Sequence, residues 1–168
     1  MKIRASRRPP WRVGWLFAAS HAGKLMIGMT EQGEICRVSF LRKGKVSEAL
    51  TEWRKNWPKT EFYRDQKSVI AIHDLTKHPI LLVGTAFQCV VWRALAQIPF
   101  GRTCTYGDIA RRVGKAGASR AIGGACGANP VPIFIPCHRV VGAKGLGGFS
   151  SGLEIKKNLL KAERCLIL

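Results

Sequence analysis

TYGDIARRVGKAGASRAIGGACGA, residues 105–128, spells two short helices and the turn between them. Thr105 offers an N-cap oxygen, so a helix is expected over 106–113. Gly114 to Gly117 make a turn, and a second helix should run from Ala118 to near residue 128. Two short helices across a tight glycine-containing turn are a helix-turn-helix signal. The second helix carries Arg120, Ala121, Gly123, Gly124, Ala125 and Gly127. So many small residues cost helix stability. In return they let a backbone lie close against another surface, and a neighbouring helix and a DNA groove fit that purpose equally well.

Upstream, Thr85 is an N-cap for a helix over 86–97. Phe87, Val90, Val91, Ala94 and Leu95 lie at helical spacing as its core stripe, with Trp92 at the border. Before Gly84 the pattern is of strands. Residues 15–19, 25–29 and 35–41 read as three short strands punctuated by Gly23, Gly33 and Gly44, and Glu31-Gln32-Gly33 makes a hairpin turn. That is an antiparallel meander. Ser47 should cap a helix to about residue 56, stopped by Pro58. Residues 59–82 are expected to carry a short helix and an extended link. The change of pattern divides the chain into an α/β scaffold, residues 1–82, and a mostly helical domain, residues 83–168.

Downstream, Asn129-Pro130-Val131-Pro132 halts the helix. An extended segment then leads to Ile135-Pro136-Cys137-His138-Arg139-Val140. A thiolate is the nucleophilic form of cysteine, and an adjacent imidazole is a common means of making one. The pair alone reads as well as a small buried hydrophobe beside a histidine. A glycine-rich loop, residues 142–152, and a final helix over 153–165 follow.

The chain has 168 residues, 28 Lys+Arg against 10 Asp+Glu, a net charge of +18 and a pI near 10.4. Each half carries +9, so the charge is no mere tail. A field of that sign favours polyanions, nucleic acid before anionic membrane. No apolar run approaches the ~20 residues needed to span a bilayer. Basic residues before Trp15-Leu16-Phe17 suggest a signal peptide, but the apolar core is short and broken by Gly14. A loose basic N-terminal arm is the better reading. The six cysteines show no CxxC spacing and no zinc-like Cys/His cluster, so free thiols, a reducing compartment and no metal or cofactor are expected.

Taken in order, these pieces resemble the O6-alkylguanine-DNA alkyltransferases, the suicide DNA-repair methyltransferases. The series is Gly84-Thr85-Ala86-Phe87-Gln88, Val91-Trp92-Arg93-Ala94-Leu95, Ile98-Pro99, Thr105-Tyr106 and Ser119-Arg120-Ala121-Ile122-Gly123. It continues through Asn129-Pro130 and Ile135-Pro136-Cys137-His138-Arg139-Val140 to Leu159-Leu160-Lys161-Ala162-Glu163. The resemblance implies an α+β fold. A small ribonuclease H-like domain with a three-stranded antiparallel sheet would precede a helical domain bearing a winged-helix-like helix-turn-helix.

It also implies roles. Cys137 takes an alkyl group from the guanine oxygen in one irreversible step. His138 acts as general base through a water, and Glu163 holds its tautomer. Tyr106 crowds the 3′ phosphate and hydrogen-bonds the leaving guanine. Arg120 fills the stack vacated by a flipped base, and Ala121, Gly123, Gly124 and Ala125 allow approach to the minor groove. Asn129 is a hinge, and Pro132, Val140, Phe149 and Ser150 line the pocket. Carbonyls of Cys137 and Val140 would read the guanine amine. The partner is double-stranded DNA containing O6-alkylguanine, with O4-alkylthymine a second candidate. The protein would act as a cytoplasmic monomer, nucleoid-associated if bacterial, with no membrane role.

Phe149 stands where tyrosine is common in that family, and the Cys/Cys/His/His set of its vertebrate members is missing. Three other readings stay open on the sequence. One is a non-enzymatic alkyltransferase-like lesion-binding protein. Another is a Cys-His hydrolase. The last is a basic architectural DNA-binder with a structural cysteine.

Overall fold

The computed structural model describes residues 2–41, 45–65 and 70–165. The chain divides into two compact units, Met1–Gly84 and Thr85–Leu168.

The first unit is built on a sheet. Its elements in chain order are β1 (Ile3–Ser6), β2 (Arg12–Ser20), β3 (Gly23–Met29), β4 (Ile35–Phe40) and α1 (Val46–Asn56). Then come β5 (Glu61–Arg64), β6 (Ile70–Ala71), α2 (Ile72–Leu75) and β7 (Ile80–Val83). β2, β3 and β4 form the expected antiparallel meander. Gly33 makes its second turn at φ 75°, with hydrogen bonds between Thr30 and both Gly33 and Glu34. The sheet is larger than three strands, in the order β1-β7-β4-β3-β2-β5, with β6 also on β2. All the added pairings are parallel. Each joins segments dozens of residues apart, which no local pattern reveals.

The N-terminal arm is therefore not loose. β1 covers the edge of β7, and Arg4 grips Glu34 with two hydrogen bonds of 2.8 and 2.7 Å. Helix α1 starts from Lys45 without a side-chain cap, so Ser47 lies inside the first turn and does not cap it. Gly44 falls outside the described residues. Trp53 of α1 is fully buried against Trp15 and Met26, and its Nε1 donates to Ser39 Oγ at 2.8 Å. It seats on Gly28, where a Cβ would come within 2.9 Å of the indole.

The second unit contains α3 (Ala86–Leu95), β8 (Cys104–Thr105), α4 (Tyr106–Arg112), α5 (Ser119–Gly127), β9 (Val140–Val141) and α6 (Leu153–Ala162). Thr85 and Thr105 each close a capping box, with Gln88 and Asp108 respectively. Each box satisfies two otherwise orphaned backbone N–H groups. Val90 points outward, half exposed, while Trp92 is buried and donates from Nε1 to the Ala125 carbonyl at 2.8 Å. Trp92 is therefore core, and it ties α3 to α5. The core is completed by Val91, Leu95, Ile98, Ile109, Ile122, Leu159 and Leu160. Among the described residues no helix is long and apolar enough to cross a membrane.

Candidate active site

The segment between α5 and β9 is shaped by one side chain. Asn129 donates from Nδ2 to the Ile135 carbonyl at 2.7 Å and to Cys137 Sγ at 3.1 Å, while its Oδ1 accepts the Val131 N–H at 3.1 Å. Ile133 sits at φ 76° inside this loop. A β-branched residue there is strained by ~1–3 kcal/mol and persists only where its surroundings fix it. Asn129 and the Ile135 N–H to Val131 carbonyl bond, 3.0 Å, supply that constraint. Cys137 to Arg139 then form a single 3₁₀ turn. β9 pairs in parallel with β8, which leads straight into α4 and so sets Tyr106 near the same place.

A cavity of about 480 Å³ opens here. Cys137 and Cys126 contribute thiols to its wall, Tyr106 and Phe149 contribute rings, and Arg120 and Ser150 lie at it as well. Gly123, Gly127 and Gly148 complete much of the backbone lining. The volume falls in the usual range for small-molecule sites. The phenol of Tyr106 donates weakly to the Gly148 carbonyl at 3.4 Å. It packs so closely on Gly147 that a Cβ would come within 2.8 Å of the ring, and Gly147 also needs its φ of 66°.

Cys137 is almost wholly buried. Burial pushes its thiol up to about 11, although Asn129 and the Lys156 charge pull the other way. The resting group is thus a thiol, and it loses its proton only when a base takes it. His138 is fully buried, and burial lowers its pKa against the opposing pull of Glu163. Its Nε2 lies 2.8 Å from Glu163 Oε1, while Nδ1 is buried without a protein partner among the described residues. Burial alone would raise the Glu163 carboxyl. Hydrogen bonds from His138 and Arg139, together with the Arg139 charge, hold it at about 2 instead. As a carboxylate it can only accept, so Nε2 carries the hydrogen and Nδ1 presents a lone pair.

Two residues of this network are not evident from sequence. Arg139 grips Glu163 through Nε and Nη2 at 2.8 and 2.9 Å and reaches the Ile98 carbonyl at 2.6 Å. Lys156 is completely buried and donates to the carbonyls of Val140 and Leu146, both at 2.6 Å, and of Gly148 at 3.1 Å. It binds the glycine-rich loop to the segment after Cys137. One signal marked it: Lys156 shares a helical face with Leu159 and Leu160, where a charge is out of place.

The structure gathers Cys137, His138, Glu163 and Asn129 by hydrogen bonds, and Tyr106, Arg120, Gly123, Phe149 and Ser150 around one cavity. Pro132 and Val140 are buried and are not part of its wall. The Val140 carbonyl, expected to read a base, already accepts from Lys156. On α5, Ile122, Ala125 and Cys126 face inward. Ala121 and Gly124 are exposed, and a Cβ added at Gly124 or Gly127 would meet nothing within 4 Å. The small residues on that side therefore do not serve packing inside this unit. Among the described residues, no group of three or more His, Cys, Asp or Glu side chains could hold a metal ion.

Residues 86–165 match the family described as 6-O-methylguanine DNA methyltransferase, DNA binding domain. Over 150 residues the chain is 41% identical to a methylated-DNA–protein-cysteine methyltransferase of Methanosarcina acetivorans, covering 86% of this chain and 94% of that protein. It is 40% identical over 136 residues to the inducible enzyme of that name from Bacillus subtilis, covering 73% and 75%. The crystal structure of Mycobacterium tuberculosis OGT in complex with DNA superposes with a TM-score of 0.70 at 32% identity, covering 91% of this chain and 92% of that one.

Proposed function

The chain belongs to the methylated-DNA–protein-cysteine methyltransferase family, and we propose that Cys137 is the cysteine that accepts the alkyl group. Enzymes of this kind repair DNA by direct transfer, without a cofactor that turns over. The acceptor forms a thioether, so each molecule acts once.

The reading rests chiefly on one arrangement: a buried thiol on a cavity wall beside a histidine whose free nitrogen is a lone pair. Sγ attacks the saturated carbon on the O6 oxygen of alkylguanine. The C–S bond forms as the C–O bond breaks, and the electron pair leaves on the guanine. The thiol proton passes through a water to His138 Nδ1. Glu163 stabilises the imidazolium so formed, and Arg139 keeps Glu163 ionised. A resting thiol near 11 favours transfer in which deprotonation and attack are coupled. Tyr106 hydrogen-bonds the departing base, with Gly148, Phe149 and Ser150 against its face.

A base within duplex DNA is out of reach, so it is flipped into the cavity, at a cost of a few kcal/mol. The α4–α5 pair is the helix-turn-helix, winged-helix-like in form, that enters the minor groove. The bare outer side of α5 at Ala121 and Gly124 suits that narrow approach, and Arg120 takes the vacated place in the stack. Asn129 couples α5 to the acceptor turn. The lesion is O6-alkylguanine in double-stranded DNA, and the protein acts as a monomer. Incubation with duplex carrying a labelled O6-methyl group tests this: label should move to the wild type and not to Cys137→Ser. Label on Cys137→Ser would assign the acceptor elsewhere.

A further inference from the structure

The link from β1 to β2 is Arg7-Arg8-Pro9-Pro10-Trp11, and its backbone is fixed at several points. Ser6 Oγ donates to the Arg8 carbonyl at 2.8 Å and accepts the Arg8 N–H at 3.1 Å. The Pro10 carbonyl accepts from Thr60 Oγ1 at 2.7 Å, and the Trp11 carbonyl accepts the Glu61 N–H at 2.8 Å. Two consecutive prolines stiffen it further. The side chains are another matter. Trp11 is 75% exposed, and Arg7 and Arg8 are exposed beside it. Among the described residues, no side-chain hydrogen bond, ion pair or ring contact engages any of the three.

No ion pair among the described residues engages them. In this unit Glu34 serves Arg4, Glu31 and Glu61 serve Arg12, Glu48 serves Lys45, Glu52 serves Arg37 and Asp74 lies against His73. A pre-ordered loop thus presents one bare indole face and two uncompensated guanidinium groups. Single-stranded nucleic acid is the ligand with matching chemistry: phosphates for the arginines, and an unpaired base whose flat face can stack on the indole. A duplex hides those faces. A membrane anchor would need several apolar residues to sink into the interface, and Arg7, Arg8 and the prolines flank only one.

We propose that the Arg7–Trp11 loop is a second DNA contact, on the sheet unit, which takes single-stranded DNA by stacking one base on Trp11 with its phosphates on Arg7 and Arg8. The contact is independent of Cys137 and of alkyl transfer. Fluorescence anisotropy of the full-length protein with an unmodified labelled oligothymidine tests it. Trp11→Ala should weaken binding about tenfold, in keeping with ~1–3 kcal/mol per stacked base. The double variant Arg7→Ala/Arg8→Ala should flatten the salt dependence by roughly 1.4 in log–log slope, from ~0.7 per phosphate contact on a single strand. Photocrosslinking with bromodeoxyuridine in the same oligonucleotide should mark the peptide that bears Trp11. Thermal midpoint and methyl transfer from free O6-methylguanine base should not change. Unaltered oligothymidine affinity and salt slope in these variants, without a crosslink at Trp11, would overturn the proposal. So would lost binding to phosphatidylserine vesicles with oligothymidine binding intact.

Discussion

In the sheet unit the buried cation is Arg37, stacked 4.9 Å from the Trp57 ring and 5.7 Å from Trp53, with Glu52 at 3.8 Å. In the helical unit Lys156, His138, Arg139 and Glu163 are buried or nearly so, and they tie the turn that carries Cys137 and the glycine-rich loop to the last helix. The first unit sets its guanidinium against rings, where the charge packs over a hydrophobic body. The second desolvates four polar groups within two short segments, which is costly unless every partner is in place. A fold does not need that for stability. A reaction centre needs it, because each group there holds the next in one orientation.

The contrast can be broken most forcefully at Trp53. Trp53→Ala should cost about 3–5 kcal/mol of stability, as expected for emptying a buried indole site. Chemical denaturation measures the loss. The single-turnover rate of the protein that remains folded should stay near wild type. A large rate defect would show that the sheet unit shapes the reaction after all.

Lys156→Met should do the opposite. It leaves the carbonyls of Val140, Leu146 and Gly148 without their donor but also removes a buried charge, so stability should move little. The pocket loop loses its tether to the acceptor turn. Transfer from methylated duplex should slow about a hundredfold, the usual order for a small misplacement of a reacting group. A normal rate would make Lys156 a packing residue only.

Glu163→Gln sharpens the comparison by pH. The folded carboxyl, at about 2, lies below its ordinary value of 4.5, so the unfolded chain takes up the proton first. Its stabilisation is complete above 4.5 and disappears as pH falls toward 2. Wild type should lose stability across that window, and Glu163→Gln should lose less. His138, also lowered, adds a separate loss below its ordinary 6.5, and that loss is larger in Glu163→Gln, which lacks the carboxylate that holds the imidazole up. Parallel curves between pH 4.5 and 2 would refute the buried ion pair. The variant should also transfer roughly tenfold more slowly, since general-base help is worth about 10²–10⁴ in total and glutamine keeps part of it.

Some of this was legible in the chain and some was not. Both capping boxes follow from a threonine with a polar partner three residues on, and the meander follows from strands separated by glycine turns. Cys137 and His138 announce themselves as neighbours. Glu163 gains meaning only from the ordered series of motifs. Arg139 does not stand out, because a lone cation on a turn is ordinarily solvated, and Lys156 is marked only by the apolar helical face it shares with Leu159 and Leu160. The parallel strands β1, β5 and β6 are two to four residues long and find partners far along the chain. Ser47 misled because helix α1 is held at its start by the Lys45–Glu48 pair and by Trp53 packing, without a hydroxyl cap.

The central claim is that Cys137 is a single-use acceptor, with Cys126 on the same cavity wall a bystander. Wild-type protein should be incubated with excess methylated duplex, then digested and its peptides weighed. The account predicts one added methyl per chain, confined to the peptide containing Cys137, with no further uptake on longer incubation. A methyl found on Cys126, or continued turnover with unmodified Cys137, would contradict it.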